Sequence, residues 1–460
     1  MRYILLVDFG STFTKLTAVD LETEDVIGTS KAITTVETNI TIGYEKALER
    51  LYDNIGKTIV FDDIIACSSA AGGLKMAAIG LVEDLTTEAA KRVCLGAGAK
   101  VELVFSHHIN QQEVESINEK DIDIILLAGG ANGGNKECVI HNATKLAKSN
   151  IKAPIVFAGN KDAADEIIEI FTQANKTFHM CENVMPRLNV LNIKSARDTI
   201  KEIFVKNIIE AKGIKKIEKK ISKIILPTPN AVLIAAELLS KGFANETGLG
   251  EILIIDVGGA TTDVYSMADG YPKHSNYILS GLEEPFAKRT VEGDLGMRYS
   301  ALGVIDQMSA SDIALYLKAG IDIKKEAMIR KDDVEFISTS DHDYMADDLM
   351  AKTCVATAVS RHVGTIKGVY TPHGIMYYQV GKDLSQTNYI IGVGGVVISS
   401  KDPKNILSAA AMIETKPLEL RPKEAQFLLD KTYILSAMGL LSADYPEIAL
   451  RIMKKHIIHI

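Results

Sequence analysis

The sequence lacks tryptophan altogether, and aromatic residues make up only 6% of its 460 residues. Its five cysteines are scattered along the chain and never form a Cys-x-x-Cys pair. That spacing argues against a zinc or iron–sulfur site and against a disulfide framework. We interpret the cysteines as isolated buried thiols of a protein that works in a reducing cytoplasm.

Long apolar runs and a surplus of positive charge are also missing. No apolar run is long enough to span a bilayer, and the N-terminus opens on a strand-like run rather than a signal peptide. The net charge is −8, and the one strongly basic tract, Lys212–Lys223, fits the solvated face of a helix and a turn. Because nucleic-acid binding needs a concentrated basic surface, we expect a soluble, cytoplasmic protein that binds neither nucleic acid nor membranes.

A turn rich in glycine and hydroxyl side chains, Val7–Lys15, follows an apolar run that is typical of a buried strand. Gly10 has no side chain, so the backbone can approach an oxyanion closely there. Asp8 is placed to hold a hydrated Mg²⁺ beside bound phosphates. The alternative is an ordinary hairpin, because Asp-x-Gly turns are common. The predicted phosphate-binding residues of this turn are Gly10, Ser11, Thr12, Thr14 and Lys15.

The same pattern returns at Ile252–Val264. An apolar strand is again followed by an aspartate, a glycine-rich turn, hydroxyl side chains and a second strand. Two such hairpins that face each other across a cleft would hold a polyphosphate from both sides. The repeat therefore favours a duplicated phosphate-binding unit over a chance pattern.

Two further glycine-rich turns follow apolar strands. Gly392, Gly394 and Gly395 suit an adenine or ribose that lies flat on bare backbone, although such turns also occur without a ligand. The earlier turn, Gly129–Gly134, opens a helix. It is compatible both with anion binding at the helix N-terminus and with a tight packing loop.

Strands alternate with helices along most of the chain, which predicts mostly parallel sheets covered by helices. A chain of this length is expected to form about three domains. The helix Ala231–Lys241 has prolines in its first turn and precedes the second hairpin, so we expect it to cross between two halves. We expect the charged stretch Lys318–Asp348 to be mobile and exposed, and to be available as a substrate or partner loop.

Two phosphate hairpins, a helix that enters the second one and a late Gly-x-Gly-Gly turn resemble the sugar kinase/Hsp70/actin (ASKHA) superfamily, over nearly the whole chain. Three runs resemble one branch more closely, the glutamate mutase accessory protein family (GlmL, also called MutL). That family shares only a name with the mismatch-repair protein. The three runs are Leu126–Asn135, Thr228–Leu233 and Arg289–Gly296.

The resemblance implies an α/β protein in which duplicated RNase H-like (actin-like ATPase) subdomains flank a cleft for ATP and Mg²⁺. The implied domains are residues 1–99 for the first subdomain and 226–460 for the crossing helix and the second subdomain. Residues 100–225 would form an inserted α/β segment that contacts a partner.

The resemblance also implies roles for the site residues. Asp8 and Asp256 would support the metal, and Asp263 would join Asp256 in positioning the metal or the attacking water. The γ-phosphate would be held by Gly258, Gly259, Thr261 and Thr262, and the adenosine by Gly392, Gly394 and Gly395.

One position departs from the Hsp70 pattern. In that pattern a carboxylate stands just before the Pro-Thr that begins the crossing helix, whereas this chain has Leu226 there. We therefore do not expect fast hydrolysis. We expect ATP binding with slow turnover that drives a conformational switch.

The first functional hypothesis is an ATP-dependent reactivating chaperone of an adenosylcobalamin-dependent mutase, with the subunits of glutamate mutase as its expected partner. The alternative is a small-molecule kinase of the same superfamily, although no acceptor-specific motif is recognisable. A filament-forming actin-like protein and an iron–sulfur activator of a dehydratase are further classes, and the lack of paired cysteines counts against the last one. The sequence leaves the oligomeric state open, a homo-oligomer included.

Overall fold

The computed structural model describes residues 2–10, 12–34, 40–68, 74–211, 223–372 and 374–460. The chain opens on three antiparallel strands, β1 (Tyr3–Phe9), β2 (Phe13–Asp20) and β3 (Asp25–Ile33). The apolar run of β1 is almost entirely buried, as is typical of a central strand covered on both faces. Helix α1 (Ile40–Ile55) packs its apolar stripe on this sheet, and β4 (Asp63–Ser68) pairs parallel to β1.

An all-parallel five-stranded sheet follows, in the order β6-β5-β7-β8-β9. Its strands are β5 (Lys75–Gly80), β6 (Lys100–Ser106), β7 (Ile124–Leu127), β8 (Ile155–Phe157) and β9 (Phe178–Met180). Its helices are α2 (Glu88–Gly96), α3 (Gln111–Glu119), α4 (Glu137–Lys148), α5 (Ala164–Gln173) and α6 (Lys194–Ala211). This is the doubly wound order of flavodoxin-like sheets, with the first strand between the second and the third.

The inserted sheet begins earlier than the sequence predicts. Because β5 and α2 belong to it, the boundary predicted between residues 99 and 100 falls inside the inserted unit. Helices α2 and α6 also share one continuous hydrophobic core with the first sheet, so the two units are not separated by a solvated linker. The predicted basic tract lies outside the described residues, apart from Lys223 at its end.

The chain then returns to the first sheet. Strand β10 (Lys223–Pro227) pairs parallel to β4, and α7 (Thr228–Lys241) starts directly after it with Pro229 in its first turn. The helix ends at Gly242, whose φ of 80° requires a residue without a Cβ. A small hairpin follows, made of β11 (Gly242–Phe243) and β12 (Glu246–Thr247).

The second half contains a six-stranded sheet in the order β16-β14-β13-β19-β20-β21 and a three-stranded sheet in the order β15-β18-β17. The strands are β13 (Ile252–Val257), β14 (Thr262–Met267), β15 (Tyr277–Ser280), β16 (Ala287–Glu292), β17 (Thr365–Thr371), β18 (Gly374–Val380), β19 (Tyr389–Val393), β20 (Gln426–Asp430) and β21 (Ile457–His459). The helices are α8 (Ala301–Asp306), α9 (Ala310–Lys318), α10 (Ile323–Asp332), α11 (Asp341–His362), α12 (Gly395–Ser399), α13 (Pro403–Leu407), α14 (Leu435–Leu441) and α15 (Pro446–His456).

The two larger sheets repeat one topology. Each has three antiparallel strands followed by two parallel ones, β3-β2-β1-β4-β10 in the first and β16-β14-β13-β19-β20 in the second. This is the RNase H-like arrangement, so the predicted fold class is confirmed: duplicated actin-like subdomains with an inserted α/β domain.

Helices α7 and α14 follow the equivalent strands β10 and β20 and pack between the two larger sheets. The core around them contains residues of both sheets, so α7 does cross between the halves as predicted. The packing is close, because a Cβ on Gly439 would lie 1.9 Å from the carbonyl oxygen of Ala231.

The predicted exposure of Lys318–Asp348 is confirmed for most of its residues but not for all of them, and its mobility stays a prediction. The stretch contains α10 and the beginning of α11, and it contributes buried polar residues to the second half, Arg330 and Asp347 among them. Arg330 pairs with Glu326 and Asp347 inside the fold, whereas most other charged residues of the stretch are exposed.

Among the described residues, no helix combines the length and the apolarity that crossing a membrane requires.

Candidate functional site

The two hairpins match residue by residue. In the first, Asp8 on β1 pairs with Lys15 on β2; in the second, Asp256 on β13 pairs with Asp263 on β14. Both turns are closed by the same bond, from the Gly10 amide to the Phe13 carbonyl at 3.1 Å and from Gly258 to Thr261 at 2.9 Å. A Cβ on either glycine would lie within 2.8 Å of that carbonyl oxygen, so both turns require glycine.

Asp8 is a buried carboxylate that three elements hold in place. Its Oδ1 accepts a hydrogen bond from the Thr228 hydroxyl on α7 at 2.6 Å, and its Oδ2 accepts one from the Ser436 hydroxyl on α14 at 3.2 Å. The Cys67 thiol on β4 lies 3.6 Å from Oδ1. These contacts fix the carboxylate at the point where the helices between the two halves begin.

Asp256 is the corresponding carboxylate of the second hairpin, and Tyr433 binds it. The Tyr433 hydroxyl donates to both carboxylate oxygens of Asp256, at 3.2 and 3.0 Å. Burial raises the pKa of Tyr433 well above its ordinary value, so the phenol stays protonated and acts as the donor. Burial also raises the pKa of Asp256 to about 6, although Lys15 and the Tyr433 hydrogen bond act in the opposite direction.

Lys15 carries positive charge into the space between the two aspartates. Its Nζ lies 4.0 Å from Oδ2 of Asp8 and 3.2 Å from the ring centroid of Tyr433. Burial lowers the pKa of Lys15, while Asp8 and Asp256 oppose that shift. The result is a line of contacts from one hairpin to the other, Asp8–Lys15–Tyr433–Asp256.

Asp263 has a partner of its own. Nε and Nη2 of Arg289, on β16, lie 2.8 and 2.6 Å from its Oδ1, and the Thr261 hydroxyl donates to its Oδ2 at 3.0 Å. Burial lowers the pKa of Arg289, but Asp263 and Tyr265 outweigh that effect and leave the pKa above its ordinary value. These bonds hold the Asp263 carboxylate in a fixed position beside Arg289.

A cavity of about 1230 Å³ lies between the hairpins and reaches towards α12. It is large enough for a drug-sized or nucleotide-sized ligand. The hairpins approach each other at its floor, because a Cβ on Gly259 would lie 3.7 Å from the Thr12 hydroxyl. The sequence-predicted residues that line it are Asp8, Gly10, Thr12, Lys15, Asp256, Gly258, Gly259, Thr261, Asp263 and Gly395.

The other predicted hydroxyl residues are placed differently. Thr14 and Thr262 are fully buried, and their hydroxyls bond to Thr34 at 3.1 Å and to the Leu295 carbonyl at 2.8 Å. Neither residue lines the cavity. Ser11 lies outside the described residues.

The turn after β19 contains three glycines, of which one lines the cavity and two are needed for packing. Gly395 lines the cavity, and a Cβ there would meet no atom within 4 Å. Gly392 packs against Leu407 inside β19, and Gly394 has φ of 103°. A Cβ on Gly394 would lie 2.2 Å from the Val257 carbonyl oxygen, so this glycine lets β19 and β13 end close together.

Arg298 and the segment before α11 complete this end of the cavity. The Arg298 guanidinium donates to the carbonyls of Met297 and Phe336, and burial lowers its pKa while Asp347 opposes that shift. Arg298 and Phe336 line the cavity together with Gly395.

Five further residues of the site were not predicted from the sequence: Thr228, Ser436, Tyr433, Arg289 and Arg298. Tyr433 and Ser436 come from the end of the chain, far in sequence from the aspartates they bind, so no local pattern marks them. Thr228 and Arg289 did carry a signal, because each opens one of the three runs that support the family resemblance.

Leu226 occupies the position at which the Hsp70 pattern has a carboxylate. It pairs with Cys67 on β4 and packs against the core between the halves. In the first half, Asp8, Cys67 and Leu226 lie side by side on neighbouring strands. In the second half, Asp256 pairs with Val393, and Gly392 pairs with Leu429. Asp430, the residue after Leu429, therefore occupies the place equivalent to Leu226. Asp430 is fully buried and accepts the backbone amides of Ile434 and Leu435 at the start of α14, so it serves the helix rather than the cavity.

Solved structures similar in fold include gluconate kinase from Lactobacillus acidophilus (10% identity, 100% of this chain and 92% of that chain covered, TM-score 0.35). Ligand-bound xylulose kinase from the same organism is similar as well (10% identity, 100% and 93% covered, TM-score 0.37). These TM-scores are low, so the fold assignment depends on the repeated strand order.

The sequence comparisons are closer. Protein MutL from Clostridium tetanomorphum is 50% identical over 462 residues, which cover 100% of both chains. The family described as MutL protein matches residues 4–457. The resemblance read from the three sequence runs is thereby confirmed, and the chain belongs to the MutL protein family.

Proposed function

We propose that this chain is an ATP-binding accessory protein that reactivates an adenosylcobalamin-dependent mutase, with glutamate mutase as its partner. The observation that supports nucleotide binding best is the pair of matched hairpins, which direct Asp8 and Asp256 into one cavity. The choice of partner follows from the family to which the chain belongs.

The donor set fits ATP with Mg²⁺. Asp8 and Asp256 would hold the metal, because buried carboxylate oxygens are the ligands that Mg²⁺ prefers and the raised pKa of Asp256 indicates that its charge is only partly compensated. When bound, Mg²⁺ supplies charge compensation for the phosphates. Lys15, the backbone amides of the two turns and the hydroxyls of Thr12 and Thr261 would bind phosphate oxygens.

The adenosine would lie at the other end of the cavity. Bare backbone at Gly395 leaves room for a flat ring, and the Arg298 guanidinium and the Phe336 segment flank the same space. An arginine stacked on a purine contributes cation–π attraction as well as packing.

Slow turnover is part of the proposal. Asp263 is held by Arg289, and the position before the Pro-Thr run is Leu226, so Asp256 is the carboxylate left to orient an attacking water. With Leu226 in place of the second carboxylate, the cleft has one general base fewer than the Hsp70 pattern, and such a base typically contributes about 10²–10⁴-fold to a rate. ATP would thus act mainly by changing the distance between the hairpins.

The test uses glutamate mutase inactivated with bound cyanocobalamin. Return of mutase activity is followed after addition of free adenosylcobalamin, with and without this protein and Mg·ATP. We expect recovery to accelerate at least about tenfold, a change of about 1.4 kcal/mol in the barrier, only when protein and ATP are both present.

Two controls sharpen the test. Asp8→Asn should abolish the ATP-dependent acceleration, while heat-treated protein should have no effect. Unchanged recovery with wild-type protein that binds ATP would reject the reactivase function. Rapid ATP-dependent phosphorylation of a small hydroxyl or carboxyl compound would support the kinase alternative instead.

A further inference from the structure

The C-terminal end of α2, in the inserted domain, lies against both halves of the molecule. The last turn of a helix has carbonyl groups without intrahelical partners and carries a partial negative charge. Helix α2 has no basic residue of its own in that turn. The carbonyls of Leu95, Gly96 and Ala99 instead accept hydrogen bonds from side chains outside the inserted domain.

The second half supplies Arg289. Its Nη1 donates to the carbonyls of Leu95 and Ala99, at 3.4 and 3.1 Å, while Nε and Nη2 bind Asp263 of the second hairpin. The side chain is buried, and its planar guanidinium serves both partners at once. If Asp263 shifts, the end of α2 therefore has to move with it, or Arg289 has to lose one of these hydrogen bonds.

The first half supplies Asn230. Its Nδ2 donates to the Gly96 carbonyl at 3.0 Å, and it lies on α7 two residues after Thr228, which binds Asp8 at 2.6 Å. Gly98 packs against the same helix start, since a Cβ there would lie 2.9 Å from Cβ of Pro227. The end of α2 is thus connected to Asp8 through α7 and to Asp263 through Arg289.

We infer that Arg289 is a positioning residue that transmits movement of the second hairpin to the inserted domain. This inference rests on the proposed function, because the movement is the one that a bound nucleotide would impose. A ligand held by both hairpins changes the position of Asp263 relative to Asp8. Helix α2 can keep its contacts to both sides in only one arrangement, so the inserted domain changes its orientation with the cleft.

The test is amide hydrogen exchange of the full-length protein, with and without Mg·ATP, combined with direct measurement of ATP binding. In the wild type, ATP should change exchange of the amides around Cys94–Lys100 at least about fivefold. In Arg289→Lys, the positive charge beside Asp263 remains, but one ammonium group cannot reach the carboxylate and both carbonyls. We expect this variant to lose the response in α2 at an ATP concentration that saturates it, as the direct binding measurement on the variant verifies.

Arg92→Lys is the matched control. Arg92 also joins α2 to the second half, through the Glu283 carbonyl at 2.6 Å and Glu284 at 3.3 Å, but it touches neither Asp263 nor another hairpin carboxylate. It should keep the response of α2 to ATP.

The possible results distinguish failure of the Arg289 relay from failure of the proposed function. Wild-type protein that binds ATP without any change in α2 overturns the relay and leaves nucleotide binding intact, and this result does not depend on the folding of a variant. A full response in Arg289→Lys overturns it as well. Wild-type protein that fails to bind Mg·ATP removes the proposed function, and the relay with it.

Discussion

Asp256 shows most directly how burial in the cleft affects a single residue. Its pKa is raised to about 6 from an ordinary value near 3.8, so folding favours the protonated carboxyl group. The stability that this group contributes is fully present below about pH 4 and is lost as the pH rises through about 6. In the ligand-free protein at neutral pH, the ionised carboxylate is therefore a cost.

Asp256→Asn should stabilise the ligand-free protein above pH 6. The gain should be up to about 3 kcal/mol at pH 8, because about two pKa units correspond to that energy, and it should vanish below pH 4. Urea unfolding of both proteins at pH 4 and pH 8 gives the two free energies of unfolding. The same variant should lose Mg-dependent ATP binding, as expected if Asp256 supports the metal.

Asp430→Asn provides a contrast, because Asp430 is a second buried carboxylate of the same sheet, at the end of β20. Burial raises the pKa of Asp430 as well, but its two oxygens accept backbone amides at the start of α14. An amide can accept through only one oxygen, so this variant should be destabilised at neutral pH. A destabilised Asp256→Asn at pH 8 would contradict the prediction.

Individual site residues differ in how far the sequence reveals them. Asp8, Gly10, Asp256 and Gly258 are visible because the same pattern occurs twice. Thr14 belongs to the same pattern but points away from the cleft, because adjacent side chains of a strand point to opposite faces and Lys15 occupies the cleft side. Arg289 opens the run Arg289–Gly296 that supports the family resemblance, but nothing in that run reveals that its guanidinium binds Asp263.

At the scale of elements, the turn from β19 into α12 combines one glycine that the fold requires with one that the ligand would require. Gly394→Ala should destabilise the protein by more than about 2 kcal/mol, since the left-handed φ and the 2.2 Å approach to the Val257 carbonyl both exclude a side chain. Gly395→Ala should change stability by less than about 0.5 kcal/mol, because nothing lies near the added methyl group.

Gly395→Ala also tests where the adenosine of ATP binds. Gly395→Ala should weaken ATP binding about tenfold, or about 1.4 kcal/mol, if the adenosine lies on this backbone. Calorimetry on the folded variant measures that loss. Unchanged affinity would place the adenosine elsewhere in the cavity.

Helices α10 and α11 are joined by a buried ion-pair cluster. Arg330 is fully buried and binds Asp347 at 2.6 Å and Glu326 at 2.7 Å, and Asp347 also accepts the Ser338 hydroxyl. Composition alone predicts exposure for this stretch, because it reports charges but not their pairing. The helical spacing of Glu326 and Arg330 was the available signal, since residues four apart lie on one face.

Arg330→Met should cost about 3–5 kcal/mol of stability, because it leaves two carboxylates buried without their cation. Lys331→Met, at the exposed neighbouring position, should change stability by less than about 0.5 kcal/mol. Denaturant unfolding of the two variants provides the comparison. Equal stabilities would mean that the cluster is solvated in solution.

At the scale of the whole molecule, the duplication could be predicted because each half starts with the same hairpin. The strand order of the inserted sheet could not, since β5 joins β6 and β7 through contacts that no local pattern records. The predicted boundary at residue 100 failed for the same reason. The first core continues without a break from β1 through α2 and α6 to β7, so sequence position does not separate the inserted domain from the sheet that carries it.

This shared core predicts that the first sheet and the inserted domain unfold together. Val93, on α2, is fully buried in that core. Val93→Ala should lower the free energy of exchange by about 2 kcal/mol for amides of both β1 and β7. Val114→Ala serves as the control, because Val114 on α3 packs in the separate core on the outer face of the inserted sheet. If Val93→Ala affects β7 but leaves β1 unchanged, the inserted domain is an independent folding unit.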